Sequence, residues 1–223
     1  MQASQIAELL DPFLGPPDAR RLTPDALARI STYIDLLRRW NARVNLTAIG
    51  NEEEIVTRHF GESLFAARHL FPRCPPVSPV LRALEVADLG SGAGFPGIPM
   101  KLWAAEISLT LIESNHKKAT FLREVTRALT LMNVNIQNVR AESLADIKFD
   151  VVTLRAVERF ERVLPAAAGL LAQGGRLVLL IGAPQLSQAH TALPTLNWSD
   201  PILIPQSKSR VIAIATHQVL EPI

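Results

Sequence analysis

The first third of the chain has the apolar periodicity of helices. Residues 3–14 are one candidate helix. A second begins after Thr23, a residue type that caps helices, and its apolar residues recur every three to four positions. A third begins at Asn51, which stands three residues before Glu54 in the spacing of a capping box, and it runs toward Phe71. We therefore predict three N-terminal helices.

Prolines then interrupt the pattern at four positions within eight residues. Neither a helix nor a central strand tolerates this density, because proline lacks the backbone N–H and clashes with the preceding turn. We therefore predict a helical N-terminal extension, residues 1–79, followed by an α/β domain, residues 80–223. The prolines are Pro72, Pro75, Pro76 and Pro79.

Beyond this boundary, apolar runs of strand length alternate with helical patterns. This alternation is typical of a doubly wound sheet. We predict an α/β, Rossmann-like fold with a mostly parallel central sheet and helices on both faces. The predicted strands are 84–89, 107–112, 134–139, 149–154 and 176–181, with a weaker closing pair at 202–204 and 211–216; the predicted helices begin near 96 and cover 115–130 and 160–172.

The composition fits one globular domain with an appendage. Of 223 residues, 48% are hydrophobic, which provides a large core and excludes a disordered chain. No run approaches the roughly 20 apolar residues that a membrane span needs, and no N-terminal stretch has the pattern of a secretory signal. We expect a cytoplasmic protein without membrane contact. The net charge of +2 is compatible with a nucleic-acid partner but does not require one.

Cysteine and histidine chemistry is sparse. The single cysteine, Cys74, can form no internal disulfide and has no nearby histidine to activate it. The five histidines show no metal-ligand spacing. We therefore predict no metal site, and we expect a monomer.

A glycine-rich loop follows the first predicted strand. In ALEVADLGSGAGFPG, residues 83–97, an apolar run ends on Asp88 and four glycines follow within eight residues. Glycine lets the backbone turn sharply and approach a ligand, so we predict a phosphate- or nucleoside-binding loop with contacts at Gly90 and Gly92. Asp88, at the carboxyl end of a central strand, is a further candidate contact, and we expect a cationic or hydroxylic group above it.

Two cofactor classes fit this loop. Residues 92–97 satisfy GxGxxG and Glu113 ends the next strand, so a nicotinamide dinucleotide is one alternative. The carboxylate holds ribose hydroxyls in both classes. Asp88 before the first glycine, and prolines where a regular helix would begin, favour S-adenosylmethionine. The only tyrosine, Tyr33, lies on an N-terminal helix, so the usual tyrosine–lysine machinery of hydride transfer is missing.

Five segments of the chain then resemble, in order, the motifs of one family. They are RWNARVNLTAI (39–49), RHFGESL (58–64), DLGSGAGFPGIPMKL (88–102), LIESNHKKATFLRE (111–124) and VVTLRAVE (151–158). Together they resemble the bacterial small-subunit ribosomal RNA guanine methyltransferases of the RsmG (GidB) family, which form 7-methylguanosine. The resemblance covers nearly the whole chain.

This resemblance implies a class I fold with S-adenosylmethionine as cofactor, and 16S ribosomal RNA or the small ribosomal subunit as partner. Arg155, at the end of the fourth predicted strand, is the candidate catalytic residue; its alternative role is a surface ion pair with Glu158. The implied cofactor residues are Gly90 and Phe95 in the loop, Glu113, Ser114 and Asn115 at the ribose, Ala141 and Glu142 at the adenine, and Arg155 at the mouth of the site.

We expect the N-terminal helices to present the RNA. The candidate contacts are Arg58 and His59 near the mouth of the site, with helix packing as the alternative role for His59, and Arg38, Arg39 and Arg43 at phosphates.

Two positions depart from the family pattern. Glu62 stands where aspartate is usual, and Ile181 stands where lysine is usual; no lysine ends the last strand either. Each missing lysine removes a possible phosphate contact. Two rival functions stay open: an NAD-dependent oxidoreductase, and a non-catalytic RNA-binding module on a degenerate methyltransferase fold. The departures are the only support for the second.

Overall fold

A computed structural model describes residues 1–16, 21–72, 82–144, 146–156 and 160–217. The strands are β1 (Glu85–Leu89), β2 (Ser108–Ile112), β3 (Val134–Gln137), β4 (Phe149–Arg155), β5 (Leu171–Gly182), β6 (Asn197–Trp198), β7 (Ile202–Leu203) and β8 (Arg210–Thr216). The helices are α1 (Ala3–Leu14), α2 (Pro24–Asn41), α3 (Glu52–Glu54), a π-helical segment (Ile55–Gly61), α4 (Glu62–Leu70), α5 (Gly97–Trp103), α6 (His116–Ala128), a 3-10 turn (Ala141–Leu144), α7 (Phe160–Gly169) and α8 (Gln185–Ala192).

The strands form one sheet in the order β3-β2-β1-β4-β5-β8-β6, and β7 also pairs with β8. Strands β1 to β5 are mutually parallel, whereas β8 runs antiparallel to β5. The winding reverses between β1 and β4, which makes the carboxyl ends of these two strands the switch point where ligands of such sheets bind. The predicted mostly parallel α/β fold is confirmed.

The N-terminal helices and one face of the sheet share an apolar core. Ile6 and Phe13 of α1 and Tyr33 of α2 belong to the same buried cluster as Val86 of β1 and Phe121 of α6. A second cluster, on the opposite face, contains α7 and α8. Removing residues 1–79 would therefore expose one side of the sheet, and point substitutions are the better test of what the extension does.

Local caps explain where several helices begin. Thr23 accepts a hydrogen bond from the backbone of Ala26, and Asn51 accepts one from Glu54, as their spacing predicts. The predicted third helix is interrupted by the π-helical segment, which the apolar periodicity does not reveal.

Other boundaries differ from the prediction. Strand β5 begins at Leu171 rather than 176, because Gly174, with φ of 71°, lets the strand pass through an irregular turn, and the preceding helix ends at Gly169. Leu84 precedes β1 and is 38% exposed. Helix α8 and strand β6 were not predicted. The proline-rich boundary falls largely on residues 73–81, outside the described residues, so the division at residue 79 stays a prediction.

Asp88 ties three elements together at the switch point. Its carboxylate accepts hydrogen bonds from the Thr153 hydroxyl of β4 (3.0 Å) and from the Gly97 backbone at the start of α5 (3.2 Å). The side chain is completely buried, and burial raises its pKa to about 6, although both hydrogen bonds oppose this. The hydroxylic group expected above Asp88 therefore belongs to the protein. A direct contact with a cofactor stays a prediction.

Gly61 tests the packing of the N-terminal helices. A Cβ at this position would lie 2.7 Å from ring atoms of Phe13, which is itself buried. Gly61→Ala should therefore lower the free energy of unfolding by about 1–3 kcal/mol, the usual cost of overpacking. Gly50→Ala is the matched control, because no atom lies within 4 Å of its added Cβ. Urea unfolding measures both; equal stability of the two variants would contradict the packing described.

Candidate functional site

The glycine loop after β1 lies at the switch point, and its glycines differ in the space that surrounds them. Gly90, Gly92 and Gly94 all have positive φ, at 70°, 55° and 88°. A Cβ on Gly94 would overlap the Tyr33 hydroxyl oxygen, so packing excludes a side chain there. A Cβ on Gly92 would meet only the Gly90 carbonyl oxygen, at 3.7 Å. The backbone at Gly92 is therefore open to close approach by a ligand.

Glu113 follows β2 and fixes the open side of this loop. Its carboxylate accepts hydrogen bonds from the backbone N–H of Gly92 (2.9 Å) and of Asn115 (2.7 Å), one on each oxygen. The residue is 7% exposed. Each carboxylate oxygen has acceptor capacity beyond one hydrogen bond, so this carboxylate can hold the loop and accept two further hydroxyl donors.

The neighbours of Glu113 have mainly structural contacts. The Asn115 side chain caps α6 by accepting from the backbone of Lys117 and Lys118. Ser114 is exposed, and its carbonyl accepts a hydrogen bond from Asn138. The Asn115 side chain is therefore committed to the helix, and contacts of Ser114 and Asn115 with a cofactor stay predictions.

Ala141 and Glu142 begin the 3-10 turn that follows β3. Ala141 is buried, whereas Glu142 is exposed. This turn lies beyond the carboxyl end of β3, and Glu113 and the glycine loop follow the ends of β2 and β1. Because parallel strands end at one edge of a sheet, the fold brings these predicted cofactor residues to the β1-β2-β3 half of that edge, whereas Arg155, also predicted as a cofactor contact, ends β4.

Arg155 ends β4, on the other side of the switch point. It is 8% exposed, and its Nη2 donates to the Arg58 carbonyl (2.7 Å) and lies 3.3 Å from Oε2 of Glu62. The guanidinium carbon lies 5.9 Å from the centre of the Phe95 ring. Burial lowers the pKa of Arg155 to about 10, and Glu62 opposes this by favouring the charged form. The alternative partner, Glu158, is outside the described residues.

Glu62 is the centre of a charged cluster that sequence reasoning missed. Only 2% of it is exposed, and besides Arg155 it binds Nε of Arg58 (3.2 Å) and Nη2 of Arg210 (2.7 Å). Its guanidinium partners come from the π-helical segment, β4 and β8. In the sequence, Glu62 stood out only as a departure from the family pattern, and this did not identify its partners.

His59 and Phe95 belong to an aromatic cluster beside these charges. The two rings stack at 4.7 Å, and Phe95 also stacks on Tyr33 at 5.3 Å. The Tyr33 hydroxyl donates to the Ala93 carbonyl of the loop. His59 also bonds the Thr47 hydroxyl (2.8 Å), and burial, followed by the charges of the nearby arginines, lowers its pKa to about 3. His59 is therefore neutral and packed between helix and loop, whereas an RNA contact by it stays a prediction.

The remaining candidate RNA contacts lie on the outer surface. Arg38, Arg39 and Arg43, at the end of α2 and just beyond it, are exposed, and Arg38 pairs with Glu52. Thr47 connects the loop that follows α2 to His59. An RNA contact by the three arginines stays a prediction.

Metal-binding clusters and membrane-spanning helices are both absent from the described residues. Among them, no group of three or more histidine, cysteine or acidic side chains is arranged to hold a metal ion. No helix within the same residues has the length and apolar character needed to cross a membrane.

Solved structures that resemble the fold are methyltransferases. A ribosomal protein L11 methylase from Lactobacillus delbrueckii subsp. bulgaricus aligns with a TM-score of 0.56 at 19% identity, covering 71% of this chain and 80% of that one. A SAM dependent methyltransferase from Aquifex aeolicus aligns with a TM-score of 0.51 at 13% identity, covering 60% and 82%. At these identities the likeness shows the class I methyltransferase fold alone.

Sequence comparison identifies the family. The family described as rRNA small subunit methyltransferase G (GidB) matches residues 26–200. A relative named "Ribosomal RNA small subunit methyltransferase G" in Halorhodospira halophila is 41% identical over 161 residues, 72% of each chain. One of the same name in Xanthomonas campestris pv. campestris (strain B100) is 36% identical over 205 residues, covering 90% of this chain and 91% of the relative. The chain therefore belongs to the rRNA small subunit methyltransferase G (GidB) family.

Proposed function

We propose that this protein transfers a methyl group from S-adenosylmethionine to N7 of a guanine in small-subunit (16S) ribosomal RNA. Family membership supports the reaction class and the substrate. The observation that carries the cofactor assignment is the nearly buried carboxylate of Glu113, which holds the open backbone of Gly92 at the switch point. Such a substrate implies that the protein acts in the bacterial cytoplasm, on ribosomal RNA or the small subunit, and we propose that it acts as a monomer.

The residues present fit S-adenosylmethionine. Glu113 retains acceptor capacity for two ribose hydroxyls, and the loop at Gly92 has room for close approach. The turn at Ala141 supplies buried apolar surface for a base, with the exposed Glu142 beside it. The cofactor supplies an electrophilic methyl group on a sulfonium.

The chemistry asks little of the protein beyond alignment. The N7 atom of guanine carries a lone pair and no proton, so no general base has to remove one. Arg155 can orient the acceptor or the cofactor's carboxylate through the two parallel donors of its guanidinium. The aromatic cluster of Tyr33, His59 and Phe95 excludes water from the adjoining wall, and holding the two reactants in line accounts for the acceleration.

The two rival functions make different predictions. A nicotinamide-dependent oxidoreductase would bind a dinucleotide and not S-adenosylmethionine. The pyrophosphate of a dinucleotide favours a regular helix after the loop, whereas α5 has seven residues and follows Pro96. An RNA-binding module without activity would bind 16S RNA and transfer no methyl group.

Methyl transfer tests the proposal. The protein is incubated with methyl-labelled S-adenosylmethionine and with 16S RNA or small subunits that lack the modification, and the labelled nucleoside is identified. We expect 7-methylguanosine at one site. RNA binding without incorporation of label would favour the inactive module, and label on another atom or base would contradict the proposed acceptor.

Glu113→Ala should lower the affinity for the cofactor about tenfold or more, because charge-assisted hydrogen bonds, such as those from the ribose hydroxyls to Glu113, contribute roughly 1.5–3 kcal/mol each to binding. Glu113→Gln, which keeps one acceptor oxygen, should lie between the wild type and the alanine variant. Calorimetry with S-adenosylhomocysteine gives both affinities, with thermal unfolding as the control for loss of the loop's hydrogen bonds. An affinity within twofold of wild type in the folded alanine variant would remove Glu113 from the site.

Arg155→Ala should lose nearly all activity and Arg155→Lys most of it, because a lysine keeps the charge but not the planar pair of donors. The readout is the rate of single-turnover methylation at saturating cofactor. A normal rate in the lysine variant would mean that charge suffices. A normal rate in the alanine variant would leave Arg155 with only its ion pair to Glu62.

A further inference from the structure

The cluster formed by Arg58, Arg155 and Arg210 around Glu62 has more positive than negative charge. Three guanidinium groups bind one carboxylate. Asp88 is the weakest of the charges that act on the pKa of Arg155. The carboxylate oxygens of Asp88 already accept hydrogen bonds from Thr153 and Gly97. Within the described residues, Glu62 is thus the one carboxylate paired with the cluster. The cluster therefore has an excess of positive charge, which is typical of a site that binds an anion.

Buried polar atoms in the same place lack partners. Nε of Arg155, Nε of Arg210 and Nδ1 of His59 are buried and make no hydrogen bond within the described structure. Burying a donor without a partner is costly, so such atoms mark sites where a ligand or water completes the hydrogen bonds. The Thr47 oxygen accepts from the Ile49 backbone, which leaves its hydroxyl proton available to Nε2 of His59. In the tautomer in which Nε2 accepts this proton, Nδ1 carries the ring proton and is a further donor.

The cluster occupies the half of the edge that the cofactor residues leave free. Arg155 ends β4, and Arg210 begins β8 opposite Gly182, at the carboxyl end of β5. Apart from Arg155, which is also a predicted cofactor contact, the predicted cofactor contacts follow β1, β2 and β3, on the other side of the switch point. Arg210 and Arg58 have 24% and 43% of their side chains exposed, against 6% for Arg155, so the cluster opens outward through these two residues.

We propose that Arg58, Arg155 and Arg210 form a binding site for a backbone phosphate of the RNA substrate. The inference rests on the proposed function. Guanidinium groups suit phosphate because their fixed fork donates to two oxygens at once. Glu62 holds the three side chains together in the absence of RNA and limits their mutual repulsion. Arg210 also supplies a cation next to Ile181, where the lysine of the family pattern is missing.

The carboxylate of the cofactor is the other anion that this chemistry accepts. Arg155 lies nearest the cofactor loop, over Phe95, and can serve that carboxylate. Arg58 and Arg210 are the outer members of the cluster, toward solvent. We therefore assign these two to the phosphate and use them for the test.

The test measures single-turnover methylation of unmodified 16S RNA, at saturating S-adenosylmethionine and varied RNA concentration. Arg210→Gln and Arg58→Gln should each raise the RNA concentration for half-maximal rate roughly tenfold, with affinity for S-adenosylhomocysteine within twofold of wild type. The log–log slope of RNA affinity against salt concentration should become shallower by about 0.7 for each phosphate that is no longer neutralised. Arg127→Gln, an exposed cation in the last turn of α6 at the opposite edge, is the charge-matched control and should change neither affinity.

Three outcomes would overturn the assignment. Unchanged RNA dependence in both folded variants would leave the cluster with a structural role. A lower affinity for S-adenosylhomocysteine, with unchanged RNA dependence, would indicate that the cluster binds the carboxylate of the cofactor instead. An equal effect of Arg127→Gln would reduce the result to general charge. If Arg210→Gln unfolds, Arg210→Lys keeps the charge and should show a smaller rise in the same RNA dependence. A wild-type protein that methylates no RNA would refute the proposed function instead.

Discussion

A single buried carboxylate fixes the relation between the N-terminal helices and the sheet. Glu62 begins α4, and its guanidinium partners lie on the π-helical segment, on β4 and on β8. A buried carboxylate loses its hydration, and one ion pair hardly compensates for that loss. Glu62 is stable in this position because several guanidinium groups donate to it. Because two of these partners stand at the carboxyl edge of the sheet, the same contacts that hold the extension in place also shape the site.

The aromatic cluster connects this anchor to the cofactor loop. Phe95 belongs to the loop, stacks on Tyr33 of α2 and on His59, and lies under the Arg155 guanidinium. The Tyr33 hydroxyl bonds the loop backbone where Gly94 has no room for a side chain. The extension therefore forms one wall of the site, and the conformation of the glycine loop depends on residues about 60 positions earlier in the chain.

Local signals predicted most of the fold and the position of the glycine loop after β1. Caps such as Asn51, strand-length apolar runs and the glycine loop depend on residues close in sequence, and each appears in the structure. The partners of Glu62 could not be predicted in this way, because Arg155 and Arg210 lie far along the chain and a contact between distant residues produces no local sequence pattern. Tyr33 was missed as a loop contact for the same reason: its position on an apolar helix indicates burial but not the partner.

The central claim is that the edge of the sheet is divided, with the cofactor above β1, β2 and β3 and the RNA above β4, β5 and β8. The crystal structure of the complex with S-adenosylhomocysteine tests it most directly. We predict ribose hydroxyls within hydrogen-bond distance of Glu113, and Arg58 and Arg210 still paired with the Glu62 carboxylate. A nucleoside bound over the arginine cluster, or a ribose without contact to Glu113, would contradict the division.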